Sequence, residues 1–136
     1  MNRGEEVPRL LLSHTRIDAL LLRLAIAETL RGVPSAAAHS AELTRRFDEA
    51  RLRQSTLHQR EEARFELAVR KRPERALQLS LENFGVQREV WDIRIALEAA
   101  LACAKPDSVK HVIAFVKEAG LEEPAIARLV RSLEAA

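Results

Sequence analysis

Apolar residues recur along this chain at helical spacing. Over 106–119, Val109, Val112, Ile113 and Val116 stand at i, i+3, i+4 and i+7, and Gly120 follows where a left-handed residue would close a helix. Over 73–84, Leu77, Ser80, Leu81 and Phe84 hold the same offsets, and Gly85 closes the run. In 90–104, Ile93, Ala96, Leu97, Ala100, Leu101 and Ala104 make one face, while Trp91, Ile95, Ala99 and Ala102 add a second. A helix apolar on most sides lies between neighbours. Thr56-Leu57-His58-Gln59 has the form of a capping box. The pattern predicts helices near 16–31, 34–53, 57–71, 73–84, 90–104, 106–119 and 124–135. Short connections between them make neighbours antiparallel.

Prolines punctuate the stripes. Pro34, Pro73 and Pro106 each stand three residues ahead of a small apolar residue (Ala37, Ala76, Val109) and lead into an amphipathic run. The intervals, 39 and 33 residues, are those of a helical repeat array. Proline suits a first helical turn, where its missing N–H would lack a partner anyway. Each proline is therefore expected to start a helix, and the segment before it to end the previous one. The longer first interval is assigned to the 34–53 helix, where Leu43, Phe47 and Ala50 extend the apolar stripe past Arg45 and Arg46.

The two ends differ. At the C-terminal end Ile126, Leu129, Val130 and Leu133 share one face and Arg128, Arg131 and Glu134 the other, as a terminal cap with one wet side requires. The N-terminal stretch is apolar on nearly every side, and Pro8 with Leu11 repeats the proline lead. Residues 1–15 are expected to form a partial repeat or tail. Leu10, Leu11, Leu12, Leu21 and Leu22 are the candidate residues for self-association, as in a homodimer, or for burial under upstream helices if the chain is the C-terminal end of a longer repeat protein.

These residues resemble the tetratricopeptide repeat family, which stacks antiparallel helix pairs of about 34 residues. Ala37, Ala76 and Val109 match the small position near the start of the second helix, and Ala41, Ser80 and Ile113 follow four residues on. Leu24, Ala63 and Ala96 match the apolar position of the first helix, whereas the family's next-position glycine is Ala25, Arg64 and Leu97 here. Val33, Arg72 and Lys105, before the prolines, are weak N-caps. The resemblance implies an all-α fold, a right-handed α-α superhelix of about three helix pairs (16–53, 57–86, 89–119) with a cap at 123–135, in one domain over 1–136. It also implies a concave face built from first helices. Carried over by position, the groove candidates are His58, Glu61 and Phe65 in the second pair and Trp91, Arg94, Glu98 and Leu101 in the third. Core packing is the competing role for Trp91, and an i, i+4 pair the competing role for Arg94 and Glu98. The family's fixed Lys, Asn and Arg clamp for terminal carboxylates is missing, which disfavours chaperone tails as ligands.

Composition sharpens this picture without changing it. Aromatics are 4% of the chain and tyrosine is absent, and four Gly with five Pro are too few for a sheet protein with many tight turns. The net charge of +2 from 22 basic and 20 acidic side chains describes a nearly balanced surface. Nucleic-acid or acidic-surface binding through Arg45, Arg46, Arg51, Arg53 and the Arg70, Lys71, Arg72, Arg75 cluster is a weaker reading, since few aromatics interleave with them. Cations at a helix C-terminus complement its dipole and need no ligand. The single cysteine, Cys103, lies in an apolar stretch and reads as a small buried hydrophobe. His58-Gln-Arg-Glu61-Glu62 lacks the second histidine of a zinc-protease signature, and His14, His39 and His111 form no ligand pattern. His111 is expected as a half-exposed packing residue. No phosphate loop or nucleophile elbow is present. The expectation is a non-catalytic scaffold without metal or cofactor, with another protein or peptide segment as partner and nucleic acid disfavoured. The chain shows no span of about 20 apolar residues and no signal-peptide core. A cytoplasmic location is the default, and a periplasmic one applies if the chain is a fragment of an exported protein.

Overall fold

The computed structural model describes residues 19–53 and 59–136, and all regular structure in them is helical. Helix α1 covers 19–31 of the described residues. It is followed by α2 (Ser35–Leu52), α3 (Gln59–Ala68), α4 (Pro73–Phe84), α5 (Val90–Ala102), a 3-10 turn (Pro106–Val109), α6 (Lys110–Glu118) and α7 (Pro124–Glu134). The helices fall where the apolar stripes place them. One difference is the run expected as a single helix over 106–119: its first turn is the tighter 3-10 form. There the Lys105 carbonyl accepts both the Ser108 N–H at 3.2 Å, the three-residue closure of a 3-10 turn, and the Ser108 hydroxyl at 2.6 Å. No helix among the described residues is long and apolar enough to cross a membrane. His14, Leu10–Leu12, the Pro8 lead and the 56–59 capping box, whose His58 is a groove candidate, lie outside the described residues wholly or in part.

The chain divides into two compact units, Met1–Ser55 and Thr56–Ala136. In the first, α1 buries Leu22 and Ala25, and α2 buries Leu43, Phe47 and Ala50. His39 Nδ1 meets Glu28 Oε2 at 2.6 Å and links the two helices. Leu24, expected as an inward position, is 43% exposed, and Ala37 and Ala41 are also exposed. The apolar weight of α2 lies in its second half, so the inward face is set by Leu43 and Phe47 rather than by the residues after Pro34. Leu22 likewise faces inward, not outward as a self-association residue would, and Leu21 is half-buried.

In the second unit α5 is the centre: α3, α4, the 3-10 turn, α6 and α7 all pack on it. Its Ile93, Ala96, Leu97, Ala99 and Ala100 join Ala76, Leu77 and Phe84 of α4, Val112, Ile113 and Val116 of α6, and Ile126, Val130 and Leu133 of α7 in one core. A smaller cluster joins Ala63 of α3, Leu79 of α4 and Ile95 of α5. The small residues Ala96, Ala99 and Ala100 let neighbouring backbones approach α5 closely. Here Ala63, Ala96, Ala76, Ser80, Val109 and Ile113 are all buried, the inward positions that the repeat pattern assigns them.

The turns ahead of the three prolines share a backbone device. Gly32, Lys71 and Ala104 each take a left-handed conformation (φ 67, 56 and 53) two residues before a proline. The following N–H then reaches back to the departing helix: Val33 to Glu28 O (3.2 Å), Arg72 to Glu66 O (2.8 Å) and Lys105 to Ala100 O (2.9 Å). Arg72 and Lys105 then precede Pro73 and Pro106 with no side-chain cap, consistent with their weak capping chemistry. Gly120 is left-handed as the stripe predicts, whereas Gly85 stays right-handed at φ −61.

A buried carboxylate fastens the helix ends. Asp92, fully buried at the third position of α5, accepts Arg60 Nε at 2.6 Å and Arg60 Nη2 at 2.9 Å from α3. It also accepts Asn83 Nδ2 at 2.6 Å from α4 and the Glu89 backbone N–H at 2.9 Å. Glu89 completes a reciprocal capping box at the start of α5. Burial alone would raise the Asp92 carboxyl, but the Arg60, Asn83 and Glu89 hydrogen bonds and the Arg60 charge outweigh it and hold it below the usual carboxylate range.

Two outcomes check this. Asp92→Asn should cost about 2–4 kcal/mol in chemical denaturation, because it leaves Arg60 only the exposed Glu89 carboxylate at 3.2 Å and sets an amide donor against existing donors. A loss within about 0.5 kcal/mol would show that the carboxylate fastens nothing. Ala104→Gly should gain about 0.5 kcal/mol, the left-handed cost of roughly 1–2 kcal/mol less the added chain entropy of glycine.

Candidate functional site

Burial on α5 decides which of its residues can meet a partner. With Asp92, Ile93, Ile95, Ala96, Leu97, Ala99 and Ala100 enclosed, Trp91, Arg94, Glu98 and Leu101 remain on the open side. They recur at i, i+3, i+7 and i+10, one helical stripe. Trp91 is 57% exposed and Leu101 39%, so the tryptophan is not a core residue. The Arg94 guanidinium lies over the Trp91 ring, 5.5 Å from its centroid.

The neighbouring helices complete the strip. Arg64 of α3 reaches Glu98 Oε2 at 2.5 Å, while Arg94 Nη2 stands 3.6 Å from Glu98 Oε1. Glu98 is thus a carboxylate between two guanidiniums, and the expected Arg94–Glu98 pair is part of a larger group. On the other side, Arg94 and Glu98 line a shallow cleft of about 230 Å³ with Ala125, Arg128, Leu129 and Ser132 of α7. At the start of α7, Glu123 caps the helix by accepting the Ile126 N–H at 2.8 Å. That backbone hydrogen bond, with the Arg94 and Arg128 charges adding to it, holds its carboxyl below the usual range.

The second-pair candidates fare differently. Phe65 is 1% exposed and offers no contact area. Glu62, Ala63 and Glu66 beside it are also buried, so the enclosed arc of α3 is wider than a single apolar stripe. Glu61 is half-buried at the first turn of α3. The residue α3 brings to the strip is Arg64, one step round the helix from Phe65. Arg64, Arg128 and Ser132 were not among the sequence candidates. Arg64 stands at the family's glycine position, and Arg128 read simply as the wet side of a cap.

Several of the other basic groups are engaged locally, while Arg53, Lys71 and Arg72 stand exposed. Arg45 and Arg46 pair with Glu42, and Arg51 with Asp48, all on α2. Arg70 pairs with Glu66 and Arg75 hydrogen-bonds Gln78. His111 is exposed and meets the Phe84 ring edge-on at 5.7 Å. Cys103 is half-buried against the main core, and burial, with the Glu74 charge, pushes its thiol up, away from the reactive thiolate. No group of three or more His, Cys, Asp or Glu among the described residues could hold a metal ion.

No protein-family model, curated protein or solved structure matches this chain.

Because it is largely exposed, Trp91→Ala should change stability by less than about 0.5 kcal/mol in chemical denaturation. A loss above about 2 kcal/mol would place the indole in the core. A double-mutant cycle on Arg64 and Glu98 should give a coupling of at most about 1 kcal/mol, the range of half-exposed pairs.

Proposed function

We propose that this protein is a non-catalytic helical-repeat scaffold whose α3–α5–α7 face binds an extended segment of a partner protein. The observation that carries the reading is the exposed Trp91 beneath Arg94, on the only stripe of α5 left open. A large amphipathic ring and a guanidinium are the side chains most often found at binding hot spots. Several features support a tetratricopeptide-like stack in a right-handed superhelix. In the second unit α3 packs on α4 and α5, and α4 on α5, the neighbour order of successive helix pairs. The left-handed turns before Pro34, Pro73 and Pro106 repeat the same device at the intervals of the array. First helices then supply the open face and second helices the backing.

A second reading is self-association through α1, favoured by the exposure of Leu20 (64%), Leu24 (43%) and Leu30 (78%). It replaces Leu22 by Leu20 and Leu24 as the α1 contact residues. It predicts a mass that rises with concentration in light scattering and a monomer in the Leu20→Glu variant.

Trp91 is the single tryptophan in a chain without tyrosine, so intrinsic fluorescence reports on the proposed face directly. A binder selected from a peptide array should shift that emission, and Trp91→Ala should weaken it at least tenfold by calorimetry. A binder that leaves the emission unchanged and tolerates Trp91→Ala would place binding elsewhere.

A further inference from the structure

The strip has an uneven balance of charge and hydrogen bonds. Arg94 makes no hydrogen bond among the described residues: its Nε is buried without a partner, and its Nη2 is 3.6 Å from Glu98, beyond hydrogen-bond reach. Arg128, exposed on the other wall of the cleft, has neither hydrogen bond nor ion pair among the described residues. The resident carboxylates face other partners: Glu98 lies 2.5 Å from Arg64 in an ion pair, though its Oε2 makes no hydrogen bond among the described residues, and Glu123 caps the first turn of α7. Two guanidiniums of one cleft therefore lack a hydrogen-bonded acceptor, while Ser132 adds a hydroxyl and Leu129 an apolar floor.

The size of the cleft limits what enters it. About 230 Å³ is below the roughly 300–1,000 Å³ of pockets that enclose small molecules, yet ample for one side chain of a longer ligand. Both arginines line the cleft, and a carboxylate is the acceptor with which a guanidinium forms the shortest, charge-assisted hydrogen bonds. A nucleic-acid strand fits less well. Its evenly spaced phosphates would run against Glu98 and Glu123, and the strip has one exposed aromatic for base stacking, not a series.

We infer that the bound segment is acidic, with a glutamate or aspartate side chain entering the α5–α7 cleft between Arg94 and Arg128 and an apolar neighbour resting on Trp91. Glu98 then sets the strength of binding. It holds the Arg64 side of the strip as an internal carboxylate and repels a second acid there, so the ligand is read as one acid beside one apolar residue rather than as a polyanion. This inference rests on the binding-face reading above and adds the chemistry of the partner.

The test uses the full chain and four probes: a capped peptide alternating glutamate with leucine, its glutamine isostere, its lysine counterpart, and oligodeoxythymidylate. Binding is read by Trp91 fluorescence and independently by calorimetry at low salt. The glutamate peptide should bind at least tenfold tighter than the isostere, and its affinity should fall several-fold as salt is raised. Arg128→Gln should bring the glutamate and glutamine peptides to within about twofold of each other. Glu98→Gln should raise affinity for the glutamate peptide about three- to fivefold, and circular dichroism should show both variants folded. Equal binding of glutamate and glutamine peptides would overturn the acidic assignment and leave the binding face standing. So would an array-selected neutral peptide that shifts Trp91 where the glutamate peptide does not. Preference for the oligonucleotide would replace the partner class. Should no peptide of any composition perturb Trp91, the binding face falls with the acidic assignment.

Discussion

Asp92 is the point on which the second unit depends. A carboxylate taken fully out of water costs several kcal/mol, and only a complete set of donors offsets that. Here the donors come from three directions: the Arg60 fork from α3, the Asn83 amide from α4 and the Glu89 N–H at the start of α5 itself. Apolar side chains at the same joint would supply as much stability and far less direction, because a methyl contact survives a slide of an ångström and a bidentate guanidinium pair does not. The buried acid therefore fixes the rotation of α5 relative to α3 and α4. In doing so it turns Trp91, Arg94, Glu98 and Leu101 outward as one stripe. The site is what remains of α5 after its other sides are enclosed.

The same economy governs the charges. A chain with 22 basic and 20 acidic side chains has little net field to offer a partner. Arg45, Arg46, Arg51 and Arg70 each meet an acid three or four residues away, which satisfies them locally and leaves small worth in stability. Along α5 and α7 Glu98 is drawn to Arg64 and Glu123 to the backbone of α7, which leaves Arg94 and Arg128 without a hydrogen-bonded acceptor among the described residues. On the proposed reading, recognition is a matter of which guanidiniums lack a hydrogen-bonded acceptor, not of overall charge.

Much of the fold was legible in the sequence because it is local. Apolar offsets of three and four residues, the prolines and Gly120 define helix positions without knowledge of any distant contact. The left-handed turns at Lys71 and Ala104 were not legible, since neither residue favours that conformation and only the packed helices on either side impose it. The Asp92 joint was hidden as well: Arg60 lies 32 residues away, and Glu89 is a weak capping residue to read from sequence. Half of the site was visible. The α5 stripe followed from spacing, yet whether Trp91 faced core or solvent depended on how many helices surround α5. The choice of Phe65 over Arg64 turned on one step around α3, about 100 degrees, which a repeat alignment with unmatched glycines does not resolve. In the first unit, Ala37 and Ala41 follow the proline spacing and still stay exposed. Periodicity places a helix there without saying which face it buries.

The most direct measurement is the titration of the Asp92 carboxyl in the folded protein, followed by carbon-13 NMR of selectively labelled aspartate. The hydrogen-bonded acid should stay ionised well below the ordinary aspartate value of about 3.9. Its contribution to stability is then full above that value, declines as pH falls below it, and vanishes beneath the lowered folded value, so protonation and loss of helix packing should coincide. Contradiction would be an Asp92 that takes up its proton at or above about pH 3.9 while the helices remain packed, for then the joint among α3, α4 and α5 would hold without its charge.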